Sequence, residues 1–126
     1  MCIRDRFRRI ITSTRSPLGP TAAWLGEVVV HAQDIRRALA LPHTPPIEVV
    51  GAVGRFYARR NVTGFGRSTI EGLRLEATDG PFSTGAGPVV SGTTLALTMA
   101  MAGRRAYCDD LTGPGVATLR ARCKPA

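Results

Sequence analysis

The chain has 126 residues, a mass of 13.4 kDa and a formal net charge of +8. This length fits one small domain, or a short segment joined to one small domain. It excludes a large barrel, a complete two-domain dehydrogenase and a repeat solenoid. Hydrophobic residues make up 44% of the chain and the mean hydropathy is +0.02, so the chain has enough apolar side chains for a packed core.

The positive charge is carried almost entirely by arginine, because Lys124 is the only lysine among 17 basic residues. Much of this charge lies near the amino terminus, in a segment that contains Arg4, Arg6, Arg8 and Arg9. A basic chain raises nucleic acid as a partner. Because no zinc-finger, helix-turn-helix or RNA-recognition motif follows, we expect no nucleic-acid partner.

The three cysteines, Cys2, Cys108 and Cys123, include no short pairing motif, which favours a cytoplasmic protein. No apolar run approaches the roughly 18 residues of a transmembrane helix, so we expect no membrane partner. Cys108 is predicted to be a small buried residue rather than a nucleophile. Residues 1–6 show no cap and no periodicity, and we interpret them as a spurious leader, with authentic sequence from about Phe7.

The first half of the chain predicts two helices separated by a proline-rich turn. Pro, Gly and Ser residues at 16–20 precede a helical pattern from Thr21 to about Leu41, which Pro42 ends. A second helix is predicted from Ile47 to about Asn61, where Gly51 and Gly54 allow close packing. The first helix has an apolar stripe that we expect to be buried, formed by Leu25, Val28, Ala32, Ile35 and Leu39, with Gln33, Arg36 and Arg37 pointing away from it.

The second half predicts an α+β module. Alternating apolar and polar residues at 73–78 indicate a half-buried strand, and residues 82–91 indicate one or two short strands. Ser91 or Thr93 is predicted to cap a helix that runs through Met101, and Val116 begins a short final helix. We therefore expect an α+β fold with two parts, residues 1–42 and residues 43–126, divided near Pro42.

Glu27 and His31 are the most informative residue pair. At about 100° per residue, positions i and i+4 lie roughly 40° apart on one helix face, and Asp34 shares that face. A carboxylate and an imidazole suit Zn²⁺ or a similar divalent ion, and Asp34 could accept a hydrogen bond from the His31 ring. Taken alone, the same spacing is also typical of a weak surface pair, because a catalytic zinc site uses three protein ligands.

The segment that contains this pair, residues 25–37, resembles the last bundle helix of the mycothiol-dependent maleylpyruvate isomerase family, a DinB-like group. The resemblance continues through residues 72–79, 87–92 and 109–113, and covers roughly residues 7–122. It implies a DinB-like four-helix bundle, of which residues 1–42 keep the last helix. A sterol-carrier-like α+β module, residues 43–126, follows the bundle.

The resemblance also implies a divalent metal, often zinc, held by Glu27, His31 and a histidine on an earlier helix. His43 lies downstream of the pair and does not match that histidine, so we expect about three bundle helices to be missing. Mycothiol, the family's thiol co-substrate, would bind the metal as a thiolate and attack a small-molecule electrophile, with cis-trans isomerisation or thiol transfer as the outcome. No protein cysteine is needed for this chemistry.

Two further interpretations stay open. The α+β module could instead be a non-enzymatic module that binds a small apolar ligand or a protein, including a second copy of this chain as a homodimer. An apolar pocket lined by Leu95, Met99 and Phe82 would favour that function. Arg55, Arg59 and Arg60 on the second helix are interpreted as a solvated face, with contact to an anionic cofactor or substrate as the alternative.

Overall fold

The computed structural model describes residues 2–11 and 19–125, and these form an α+β fold. Ser16, Pro17 and Leu18 of the predicted helix-breaking segment lie outside the described residues. The described helices are α1 (Ile3–Ile10), α2 (Thr21–Ala38), α3 (Ile47–Arg59), α4 (Thr94–Met101) and α5 (Val116–Arg122), with 3-10 helices at Arg67–Ile70 and Arg105–Asp110. The described strands are β1 (Asn61–Val62), β2 (Phe65–Gly66), β3 (Arg74–Ala77), β4 (Ser83–Gly85) and β5 (Val89–Gly92).

Helix α2 ends before Pro42, and a backbone hydrogen-bonding motif closes its carboxyl end. The helix stops at Ala38, and Ala40 adopts a left-handed conformation with φ of 54°. The Leu41 N–H then donates to the Arg36 carbonyl at 2.8 Å, and the Ala40 N–H donates to the Arg37 carbonyl at 3.2 Å. These two bonds form a Schellman motif, which satisfies the last carbonyls of the helix. The predicted division near Pro42 falls in the loop between α2 and α3.

The predicted strands form a three-stranded sheet in the order β4–β3–β5. Strand β3 pairs antiparallel with β4 and parallel with β5, and its Leu75 is aligned with Val90 of β5. Both of these side chains are fully buried. A separate hairpin pairs β1 with β2 through Thr63 and Gly64, both of which have positive φ, as a type I′ turn requires.

Helix α4 lies at the centre of the core. Of the two residues predicted to cap it, Thr93 does so. The Thr93 side chain accepts a hydrogen bond from the Ala96 N–H at 3.1 Å. The Asp79 carboxylate, from the preceding turn, accepts two more from the Thr94 N–H and hydroxyl, at 2.8 and 2.7 Å. Helix α3 packs closely against α4 because Gly54 has no side chain at the contact. This confirms the prediction that Gly54 allows close packing.

The face of α2 that is buried differs from the predicted one. The stripe was expected to be covered, yet Val28 is 68% exposed and both Ile35 and Leu39 are 62% exposed. The buried residues of α2 are instead Gly26, Val29, Val30 and Gln33. Gln33, which was expected to point away from the core, is buried and donates to the His43 carbonyl at 3.0 Å.

This difference arises from the shape of the α3 surface against which α2 packs. Gly26 presents only backbone to Tyr57 of α3, and a β-carbon at that position would lie 2.6 Å from the tyrosine hydroxyl. The helix therefore approaches α3 through its glycine face. Three of the five stripe residues face outward, whereas Leu25 packs against the core and Ala32 is partly buried. Among the described residues, no helix combines the length and the apolar character needed to cross a membrane.

Candidate functional site

The structure brings the predicted pair together on the second and third turns of α2. The His31 Nε2 atom lies 2.9 Å from Glu27 Oε2, within hydrogen-bonding distance. The two side chains are 63% and 47% exposed, so solvent and solutes reach both. A carboxylate oxygen and an imidazole nitrogen thus share one accessible position on the surface of the helix.

Asp34 lies on the same face, but its main partner is an arginine rather than His31. The Arg104 guanidinium donates to both carboxylate oxygens of Asp34, through Nη2 at 2.8 Å and through Nε at 3.2 Å. His31 Nδ1 is 3.8 Å from Asp34 Oδ2, which is beyond a direct hydrogen bond. The hydrogen bonds that Arg104 donates to Asp34 raise the pKa of Arg104, which therefore stays charged. Asp34 is held in place by this two-point contact, which joins α2 to the turn after α4.

Tyr57 lies beside the pair formed by Glu27 and His31. Its ring is buried on α3, and its hydroxyl lies against Gly26, the residue before Glu27. Burial raises the pKa of Tyr57, the negative charge of Glu27 raises it further, and the positive charge of Arg104 opposes both. The phenol therefore remains neutral over the physiological pH range and can donate a hydrogen bond at this position.

These groups surround a small cleft, which we call the Glu27 cleft. Its volume is about 220 Å³, and its walls come from α2, α3, the β1–β2 hairpin and the segments after α4 and α5. The Lys124 ammonium lies 5.4 Å from the centre of the Phe65 ring and adds a second cation to the rim. The lining residues are Glu27, Val30, His31, Tyr57, Val62, Thr63, Phe65, Ala102, Arg104 and Lys124.

The donor set of the Glu27 cleft fits a divalent metal ion in part. Glu27 and His31 offer one oxygen and one nitrogen donor, the ligand types that zinc takes in catalytic sites. Within residues 2–11 and 19–125, no group of three or more His, Cys, Asp or Glu side chains could hold a metal. The described residues thus provide two donor atoms. Other groups would have to fill the remaining coordination positions of a metal ion.

Sequence reasoning missed Tyr57, Arg104 and Lys124 as neighbours of the pair. Tyr57 was assigned only to the apolar face of α3, and Arg104 follows the glycine that closes α4. Neither position carries a local signal, because each reaches the pair through tertiary packing. Arg55, Arg59 and Arg60, interpreted from the sequence as a solvated face, are exposed and line a different hollow of about 350 Å³ beside Pro20 and Phe56.

Comparisons of the chain with protein-family models, with curated proteins and with solved structures find no significant match.

Proposed function

We propose that the chain is part of a metal-dependent enzyme of the mycothiol-dependent maleylpyruvate isomerase family, and that Glu27 and His31 hold its divalent metal, zinc. The observation that carries this proposal is the 2.9 Å contact between Glu27 Oε2 and His31 Nε2 at the mouth of a cleft. The reaction is thiol addition or transfer, or maleylpyruvate-type cis-trans isomerisation. Its substrates are mycothiol and a small electrophile.

A bound zinc ion would lower the pKa of a thiol that coordinates it and so supply the thiolate nucleophile near neutral pH. The residues of the chain have separate tasks around that centre. Glu27 and His31 provide the donor atoms, and their spacing of one helical turn sets the distance between them. Asp34 takes no direct part because Arg104 holds it through two hydrogen bonds, and it keeps a negative charge close to the His31 ring.

The rim of the Glu27 cleft suits an electrophile that carries carboxylates. Lys124 places a positive charge beside the proposed metal-binding pair, the charge of Arg104 is balanced by Asp34, and Tyr57 adds a neutral phenol as a hydrogen-bond donor. Fixed cations next to an accessible cleft raise the local concentration of anionic substrates. In this proposal Lys124 attracts the electrophile, whereas Arg104, already engaged by Asp34, orients the site.

The finer fold assignment is also a proposal. The outward stripe of α2 supports a position in a DinB-like bundle, because Val28, Ile35 and Leu39 would be covered by further helices. Such helices would provide the remaining metal ligand. Residues 43–126 would then be the sterol-carrier-like module, on whose α3 the bundle helix rests.

The proposal is tested by zinc affinity, measured on the full chain by competition with a chromophoric chelator. We expect the double variant Glu27→Ala/His31→Ala to bind zinc at least about tenfold more weakly, because both protein donors are removed. The matched control is His43→Ala/Glu48→Ala, which changes the other histidine and another exposed glutamate of the next segment. The control should keep the wild-type affinity, and equal affinity in all three proteins would contradict the proposal.

A second candidate function, binding of a small apolar acid without metal, is favoured by another cleft. This cleft has a volume of about 430 Å³ and lies between the end of α2, the following loop and the start of α4, where Leu95 contributes to its wall. Arg36 and Tyr107 line it as well. Phe82 lines a separate hollow and Met99 is fully buried, so the three residues named for an apolar pocket do not share one cavity.

Saturable binding of a fluorescent fatty acid by metal-free protein would favour the binding module. Loss of that binding in Arg36→Ala, with the wild-type affinity kept in Arg55→Ala, would place the ligand in the 430 Å³ cleft. Absence of saturable binding would leave the metal-dependent enzyme as the proposed function.

A further inference from the structure

Two buried thiols, outside the lining of the Glu27 cleft, face each other in the core. Cys108 lies in the second 3-10 helix, and Cys123 directly follows α5. Their Sγ atoms are 4.0 Å apart, and both residues are buried. The cysteines are separated by 15 positions in the chain, so this approach is produced by the fold and not by a local motif.

We propose that Cys108 and Cys123 form a reversible intramolecular disulfide when the protein meets a peroxide, so that this pair is an oxidation site of the chain. A disulfide needs an S–S distance of about 2.05 Å, so the sulfurs must approach by roughly 2 Å. The two segments that carry them are short and lie next to loops, and an ion pair between Arg120 and Asp109 at 2.9 Å already joins them.

The surroundings of the pair make its two members chemically different. The hydrogen bond between the two thiols lowers the pKa of Cys108, and the positive charges of Arg120 and Arg105 act in the same direction, against burial. The pKa of Cys123 is raised by its hydrogen bond with Cys108 and by burial. The single Cys123 thiol proton has two acceptors within reach, Cys108 Sγ at 4.0 Å and the Ala100 carbonyl oxygen at 3.3 Å. Because the Ala100 carbonyl can hold the Cys123 proton, Cys108 is the thiolate that reacts first and Cys123 is the resolving thiol, a role for Cys108 that the sequence did not predict.

The reaction balances with hydrogen peroxide as the oxidant. The Cys108 thiolate attacks one peroxide oxygen, the O–O bond breaks, and the released hydroxide takes up the proton that Cys108 had lost, which leaves a sulfenic acid and water. The Cys123 sulfur then attacks the Cys108 sulfur. The S–O bond breaks, the S–S bond forms, and the hydroxyl group leaves with the Cys123 proton as a second water. Thiols reverse the step by exchange.

A shared metal ion is a weaker interpretation of the same pair. Two thiolates are too few for a structural zinc site, which takes four ligands. Within the described part of the chain, no third His, Cys, Asp or Glu completes a metal-binding group here. The Asp109 carboxylate, next to Cys108, is engaged by Arg120.

The test is peptide mapping of the full chain after treatment with a small excess of hydrogen peroxide. The protein is then denatured, alkylated and digested with trypsin. We expect residues 106–120 to be linked to residues 123–126 with the loss of two hydrogen atoms, while Cys2 is alkylated. Dithiothreitol should remove the link. Recovery of both Cys108 and Cys123 as alkylated thiols, or as sulfinic acids without a link, would overturn the proposal.

Two controls separate native geometry from chance pairing. The Cys2→Ser variant, which removes the exposed thiol, should form the link to the same extent as the wild type. In chain unfolded by urea, the preference for this link over links to Cys2 should fall to the level set by the shorter loop between Cys108 and Cys123 alone. An equal preference in folded and unfolded chain would show that the fold does not direct the reaction, and would also overturn the proposal.

Discussion

Helices α2 and α4 are both rich in apolar residues, but the fold uses them in opposite ways. In α4 every residue is buried except Leu95, which is partly covered. In α2 the buried residues are Gly26, Val29, Val30 and Gln33, whereas Val28 and Ile35 are exposed. One helix is thus surrounded by its own chain, whereas the other has only one side covered by it.

The difference shows what apolar periodicity can and cannot establish. Helical spacing identifies which side chains share a face, but the face that becomes buried depends on the shape of the partner surface. For α2 the partner is Tyr57 of α3, which only a glycine can approach this closely. The exposed Val28, Ile35 and Leu39 lie at helical spacing and form a group on one face, whereas single scattered apolar residues are ordinary on protein surfaces.

The largest expected effect comes from the same substitution made inside α4 and at the carboxyl end of α2. Leu97→Ala in α4 should lower the free energy of unfolding by about 2–5 kcal/mol, because it leaves a cavity around a fully buried site. Leu39→Ala, just after α2 at a residue that is 62% exposed, should change it by less than about 0.5 kcal/mol. Urea denaturation of both variants measures the two values. Similar losses would mean that the outer face of α2 is covered in solution.

A smaller effect is expected where α3 meets α4. A β-carbon at Gly54 would lie 2.9 Å from the Thr98 hydroxyl, so Gly54→Ala should overpack this contact and destabilise the fold by about 1–3 kcal/mol. At Gly51 on the same helix, a β-carbon would meet only the flexible end of Arg55. Gly51→Ala should therefore stabilise the protein by up to about 1 kcal/mol. Thermal unfolding distinguishes the two, and equal shifts would refute this description of the contact.

The smallest effect is a pH dependence at the contact between α2 and α3. Because the pKa of Tyr57 is raised in the folded protein, the unfolded chain releases the phenolic proton first as the pH rises above about 10. The contribution to stability is complete below that pH and is lost as the pH approaches the folded pKa, by less than about 1.4 kcal/mol per pH unit. Tyr57→Phe should remove this part of the slope in urea titrations between about pH 8 and 11.

Tyr107 remains in the Tyr57→Phe variant as an internal reference, since burial raises its pKa as well. A slope that is unchanged by the substitution would show that Tyr57 ionises as it does in the unfolded chain. That result would contradict the burial of its hydroxyl against Gly26.

Much of the local structure could be predicted from the sequence. The starts of α2 and α3, the strand at residues 73–78 and the Thr93 cap follow from proline positions, alternation and capping chemistry. The close approach of Glu27 and His31 follows from helical spacing alone. These features depend on residues within a few positions of one another, so local patterns in a single sequence are enough to predict them.

The remaining features depend on contacts between distant segments. Arg104 reaches Asp34 across 70 positions, and nothing near either residue indicates the pairing. The buried face of α2 depends on where Tyr57 lies, and the nearness of Cys108 to Cys123 depends on how α5 packs. Such contacts are set by the whole fold, so local patterns do not predict them.

The metal-binding role of Glu27 and His31 is tested most directly by cobalt spectroscopy of the full chain in a Cys2→Ser background. We predict that Co²⁺ binds and that an added low-molecular-weight thiol produces a sulfur-to-cobalt charge-transfer band. The band should be absent in Glu27→Ala/His31→Ala and present in His43→Ala/Glu48→Ala. Two results would contradict a metal centre at this position. One is a band of equal strength in both double variants, and the other is no thiol-dependent band in the protein that keeps Glu27 and His31.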